Sequence, residues 1–221
     1  LLARTVTREK FKKFLNWAKI NLWQPQKIDG FENLCELFYV DKTLARIDDY
    51  TSKNKDSEQY INQEHVPPIN ELFEQIDTSW LCSGIPVQFH GDFILDNVLE
   101  TEDGFCLLDW RQDFAGNLQV GDIYYDLAKL NHNLTVNHEI VNQKMFDSSY
   151  ERCYILCNSE LINCREILKD FVVNSGHDWK KVETLTALIW INMAPLHDYP
   201  FNKFLFNFGK LNLNRAVNDV Y

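Results

Sequence analysis

The sequence predicts a mainly α-helical chain with one small central β hairpin. Three observations carry that expectation. Apolar residues recur at helical spacing up to Ile76 and again from Gly121 onward. Apolar runs of strand length are confined to residues 86–109. A polar stretch over 51–65, closed by Pro67-Pro68, separates the first helices from the rest of the chain. The 221 residues, 45% hydrophobic and 24% charged, exclude wholesale disorder. They leave room for one large domain or two small ones, and the chain reads as a single domain over 1–221.

Taken in order, Thr7 reads as an N-cap for a helix carrying Phe11, Phe14, Leu15, Ala18 and Leu22, and Pro25 ends it. Leu34, Leu37 and Phe38 make a second short apolar face, and Asp41 caps a helix with Leu44 and Ile47. Residues 51–65 read as a loop, and Ile69 to Ile76 as a short amphipathic helix. Pro86 to Phe89, Asn97 to Glu100 and Phe105 to Asp109 are strand candidates. The last two are joined by Thr101-Glu102-Asp103-Gly104, whose Asp-Gly step is a hairpin signal. Gly121-Asp122 opens a helix with Ile123, Leu127 and Leu130 on one face. Residues 139–157 form either a second hairpin or a loop. Three further helices complete the reading: Ser159 to Asn174, stopped by Gly176; Asp178 to Met193; and Pro200 to Val217.

The net charge of −10 argues against broad nucleic-acid or anionic-membrane binding, and it is compatible with a cationic small substrate. No apolar run is long enough to span a membrane. Six cysteines at 35, 82, 106, 153, 157 and 164 include no Cys-x-x-Cys pair, which removes support for a zinc ribbon or a redox motif. Cys35, Cys106 and Cys164 sit in apolar runs and read as small buried hydrophobes. With no signal peptide, the expected compartment is the cytoplasm. Residue 1 is Leu, so a segment upstream of it is expected.

The chemistry concentrates between residues 86 and 131. His90-Gly91-Asp92 is followed by Asn97, then by Leu107-Leu108-Asp109-Trp110, then by Gly121-Asp122-Ile123-Tyr124-Tyr125-Asp126-Leu127-Ala128. A carboxylate at a strand end, an amide five residues on and a second carboxylate after a hairpin can converge. Carboxylates and an amide oxygen are hard donors that suit Mg²⁺, which takes the rest of its shell from water and phosphates. One Asp for an acceptor hydroxyl, with an Asn and an Asp for the metal, suffices for half of a phosphoryl-transfer site. Asp and Asn favour turns, which would explain one such motif; three in register exceed that explanation.

These three motifs resemble the aminoglycoside phosphotransferase and choline kinase superfamily, the small-molecule relatives of protein kinases. The stretch around Asp109 and Gly121 also resembles a bacterial branch associated with surface-polysaccharide loci. The resemblance implies the C-terminal lobe of a protein-kinase-like α+β fold. The N-terminal lobe would lie upstream of residue 1, and the first helix would follow the interlobe hinge. It implies Mg²⁺ and ATP, or another nucleoside triphosphate, and a small-molecule hydroxyl acceptor. Asp92 would be the catalytic carboxylate. Asn97 and Asp109 would hold the metal and the nucleotide phosphates. His90 would brace the loop, and Asp122 and Asp126 would support it through helix capping and loop hydrogen bonds. Arg111 would either pair with an acidic loop residue or touch phosphate.

The sequence departs from the family pattern at two points. Ile94 stands where many bacterial members carry His. With only eight glycines, the chain has no Gly-rich loop and no Gly-x-x-x-x-Gly-Lys. A non-catalytic, pseudokinase-like binding module is therefore the rival reading, which the intact Asp92, Asn97 and Asp109 oppose. His177-Asp178 and His197-Asp198 read as helix entries rather than catalytic dyads. Trp17, Trp179 and Trp190, together with the Phe-rich stretch Phe201 to Phe208, read as packing faces, which leaves Trp110 as the one tryptophan beside the site.

Overall fold

A computed structural model describes residues 1–57, 59–149 and 151–219. Glu58, Tyr150, Val220 and Tyr221 fall in the expected 51–65 loop, the 139–157 segment and the end of the expected domain, and lie outside the described residues. The chain is mainly helical, as expected, but among the described residues it carries four two-stranded antiparallel sheets where one central hairpin was expected.

Helix α1 (Arg8–Asn21) begins where expected: the Thr7 side chain accepts from the Lys10 amide at 3.3 Å. It ends before Pro25, which instead bridges to Val87. Helix α2 (Phe31–Glu36) runs through a π-helical turn (Leu37–Asp41) directly into α3 (Lys42–Lys53). Asp41 is therefore not a cap: it has helical backbone angles and makes no capping bond. The extra residue in that turn points both Phe38 and Tyr39 inward, and Phe38 stacks on Phe114 at 4.3 Å. Leu37 and Leu44 are left facing solvent, against the expected apolar faces.

The expected 51–65 loop is helical to Lys53 and then contains a small hairpin, β1 (Tyr60–Ile61) with β2 (Glu64–His65). Helix α4 (Ile69–Glu74) comes after it. Next is an unanticipated α5 (Thr78–Cys82), capped by Asp77 and too short to show periodicity. Strand β3 (Pro86–Val87) precedes the hairpin of β4 (Val98–Thr101) and β5 (Gly104–Leu107), which pair Val98 with Leu107 and Thr101 with Gly104. Cys106 is exposed, because it lies on the outward face of a hairpin that packs on one side only. All six cysteines are free thiols.

Strand β6 (Gly121–Asp122) pairs with β3, not with the hairpin, and leads straight into α6 (Ile123–Thr135). Within the 139–157 segment a short helix α7 (His138–Asn142) precedes a hairpin of β7 (Phe146–Asp147) and β8 (Tyr154–Ile155). Helices α8 (Ser159–Asn174), α9 (Trp179–Met193) and α10 (Phe201–Val217) complete the chain. Asp178 caps α9, and Pro200 stands at the N-cap of α10 rather than inside it. The apolar α9 is sheathed by α6 and α10, which accounts for its composition. Among the described residues no helix is long and apolar enough to cross a membrane.

Candidate active site

The site is a turn held in place by buried hydrogen bonds. Leaving β3, the chain must reverse at Gly91, whose φ of +81° suits glycine. The backbone N–H groups of His90 and Gly91 donate to the Asp126 carboxylate at 2.8 and 2.7 Å, and Trp23 Nε1 donates to it at 3.0 Å. Asp126 is fully buried. Burial pushes its carboxyl up to about 6, against the pull of those donors. One turn earlier Asp122 caps α6 through the Tyr124 amide, at 3.1 Å. It also accepts from the Ile85 amide at 2.9 Å and the Tyr39 hydroxyl at 2.8 Å.

The buried His90 ring ties the turn to the hairpin. Its Nδ1 accepts from the Asp92 amide at 3.2 Å, so Nε2 carries the proton and donates to the Leu108 carbonyl at 2.7 Å. One donor and one acceptor require the neutral ring, and burial lowers its pKa accordingly. The Leu108 amide in turn donates to the Asn97 carbonyl at 2.8 Å, and the Arg111 amide to the His90 carbonyl at 2.9 Å. These bonds tie the Asp92 turn and Asn97 to the backbone on either side of Asp109.

Asp92 is only part-buried. The Asn97 amide donates to its Oδ2 and to its backbone carbonyl, both at 3.0 Å, and Lys129 Nζ stands 2.7 Å from its Oδ1. With both bonds leaving from Nδ2, Asn97 Oδ1 accepts nothing from the described residues. Asp109 is exposed, at a left-handed φ of +53°, with no hydrogen bond or ion pair to its side chain among the described residues. Such backbone costs about 1–3 kcal/mol and recurs at functional turns.

Two open hard-oxygen donors, Asn97 Oδ1 and the Asp109 carboxylate at the two chain ends of the hairpin, suit Mg²⁺ by chemistry. Among the described residues no three His, Cys, Asp or Glu side chains cluster as a metal cage. The remaining ligands would therefore have to be phosphate oxygens and water.

Arg111 reaches an acidic loop residue, but through that residue's backbone. Its Nε donates to the backbone carbonyl of Asp113 at 2.9 Å, not to a carboxylate, and its guanidinium lies 4.9 Å from the Phe38 ring and 6.0 Å from Tyr125. Asp113 accepts from the Gly116 amide and is a turn residue. Trp110 is half exposed, with its ring 4.9 Å from His90. Sequence reasoning missed Lys129. A signal existed: Lys129 stands three residues beyond Asp126, so the helix face that offers Asp126 to His90 also offers Lys129 to Asp92.

Sequence comparison supplies the class of protein, a phosphotransferase. The family model described as the phosphotransferase enzyme family (APH) matches residues 28–143, just over half of the chain. The chain belongs to that family, within the aminoglycoside phosphotransferase and choline kinase superfamily. No curated protein matches the chain at a significant level. The same holds for solved structures.

Proposed function

We propose that the protein is a Mg²⁺-dependent, cytoplasmic small-molecule kinase that moves the γ-phosphate of ATP, or of another nucleoside triphosphate, to a hydroxyl of a small metabolite. The folded chain is read as the C-terminal lobe of a kinase-like enzyme. The observation that carries this reading is one turn that sets the Asp92 carboxylate between the Asn97 amide and the Lys129 ammonium, with Asp109 tied to it through Leu108.

In the reaction, the acceptor oxygen bonds to the γ-phosphorus as the bond to the β–γ bridging oxygen breaks. That electron pair leaves with ADP, and the hydroxyl proton passes to Asp92. Asn97 and Asp109 would hold Mg²⁺, which neutralises phosphate charge when bound. Lys129 orients Asp92 and faces the same space. The resemblance offers choline or ethanolamine, a sugar or sugar-like precursor of the cell surface, or an aminoglycoside as acceptor, and favours the first two.

The test is acceptor-dependent ADP release by the native protein. Asp92→Asn should lower turnover by about 10²–10⁴-fold, the usual contribution of a positioned base, with an unchanged melting profile. Asp109→Ala should raise the Mg²⁺ concentration needed for half-maximal rate. Unchanged turnover in Asp92→Asn would refute the assignment.

A further inference from the structure

Beside the turn, lined by Lys129 and Arg111, lies a cavity of about 240 Å³. The π-helical turn, α3, α6 and the end of α9 enclose it. One wall is apolar, from Leu185, Leu188 and Ile189. Four cations line it as well: Lys42, Arg46, Arg111 and Lys129. In a chain of net charge −10, four cations around one small cavity run against the overall balance.

Only Lys129 is in an ion pair, with Asp92; among the described residues Lys42, Arg46 and Arg111 are in none. Lys42 and Arg111 instead share the Phe38 ring, at 4.1 and 4.9 Å. Burial, followed by repulsion from Arg111, Arg46 and Lys129, pulls the Lys42 ammonium down to about 8, opposed only weakly by Asp113. Unpaired, crowded cations are costly, and an anion placed among them removes that cost. A larger cavity beside Trp179, about 510 Å³, makes the contrast. Its arginines are neutralised, Arg165 by Glu183 at 3.0 Å and Arg215 by Glu64.

None of Asp92, Asn97 and Asp109 lines this cavity, and Lys129 joins it to the turn. Lys129 is shared: it lines the cavity, and its ammonium pairs with Asp92. A molecule seated here would present its near end to the catalytic carboxylate.

We infer that the acceptor bears an anionic group, a phosphate or a carboxylate, which seats among Lys42, Arg46, Arg111 and Lys129 while its free hydroxyl faces Asp92. The inference rests on the phosphotransferase reading. It selects an anionic sugar-like alcohol over choline, ethanolamine or an aminoglycoside. The negative charge of the whole chain, which by itself suits a cationic substrate, is reversed at the one place where the acceptor would bind.

The experiment uses the native protein in two arms. The first measures acceptor-dependent ADP release with Mg-ATP. The second measures binding by calorimetry without nucleotide. Both take glucose, glucose 1-phosphate, glucose 6-phosphate, glucuronate, choline and an aminoglycoside, and inorganic phosphate joins the binding arm. Phosphorylated or carboxylated compounds should bind at least about tenfold more tightly than glucose, and the two kinds distinguish phosphate from carboxylate recognition.

Lys42→Gln and Arg46→Gln should each weaken that binding about tenfold, the worth of one charge-assisted contact, and leave the KM for ATP within about twofold. Anion binding that both variants weaken, without ADP release from any acceptor, would support the anionic site and refute the kinase reading. No anion binding, equal handling of glucose or choline, or an effect confined to the KM for ATP would overturn the inference.

Discussion

Replacing Gly91 by Ala tests whether the turn is as constrained as its hydrogen bonds imply. Two costs arise from the structure. At a φ of +81° a side chain enters left-handed backbone, worth about 1–2 kcal/mol. The new methyl would also stand 2.4 Å from Arg111 Cβ and 2.8 Å from its Cδ. Arg111 has little freedom to retreat, since its amide, its Nε and its guanidinium are each engaged, by His90, Asp113 and Phe38. Overpacking of that kind costs about 1–3 kcal/mol. The sum, roughly 2–5 kcal/mol, corresponds to a melting temperature lowered by about 4–20 °C in a domain of this size. Because the turn must give way, Asp92 moves, and acceptor-dependent turnover should fall about 10²-fold. Gly176→Ala is the control. Its φ is +78°, but nothing lies within 4 Å of the added methyl, and it stops α8 away from the site. It should carry the backbone cost alone, about 2–8 °C, and keep its turnover. A Gly91→Ala protein that melts within about 2 °C of the parent and turns over normally would refute the reasoning.

Two further predictions concern buried charge away from the turn. Asp56 faces the fully buried Lys210 of α10 and accepts from the Ile69 amide at 2.8 Å where α4 begins. Removing one side of such a pair costs about 3–5 kcal/mol, so Asp56→Ala should melt about 6–20 °C lower by calorimetry. His132 is buried against Trp190, and its pKa is held well below the usual range, by burial first and then by Lys129 and His138. A depressed folded pKa means its contribution is complete above about 6.5 and is lost as pH falls below that, at up to about 1.4 kcal/mol per pH unit. His132→Leu should flatten that slope, read as the difference between the two proteins' urea stabilities from pH 7 to pH 5. A constant difference across that range would refute it.

Much of the architecture was legible because local signals were strong. Thr7, Asp122 and Asp178 each cap the helix expected after them, and Gly104 closes the expected hairpin. The features that escaped the sequence depend on partners distant in the chain. Asp41 has the composition of a cap, yet the chain continues through it because burying Phe38 and Tyr39 against Phe114 outweighs a break. Cys106 looks buried in an apolar run, but only tertiary packing decides which face of a two-stranded hairpin is covered. Of the site, the motif residues were legible by resemblance and Lys129 was not. Lys42 was invisible, because its helix is brought beside α6 only by the fold.

The four aspartates of the motifs divide by environment, and that division is the strongest physical argument for their separate parts. Asp122 and Asp126 are fully buried, and each accepts from three N–H or O–H donors. With those lone pairs committed, neither can take up a metal or a substrate proton without releasing the turn. Asp92 and Asp109 keep water access, and the Asp109 carboxylate has no partner among the described residues. The buried pair therefore does its work before any ligand arrives. It fixes the backbone of His90 and Gly91, and His90 then fixes Leu108 and so Asp109. A site held in this way from beneath needs little reorganisation when charge develops above it, which is the condition under which fixed dipoles and carboxylates lower a barrier most.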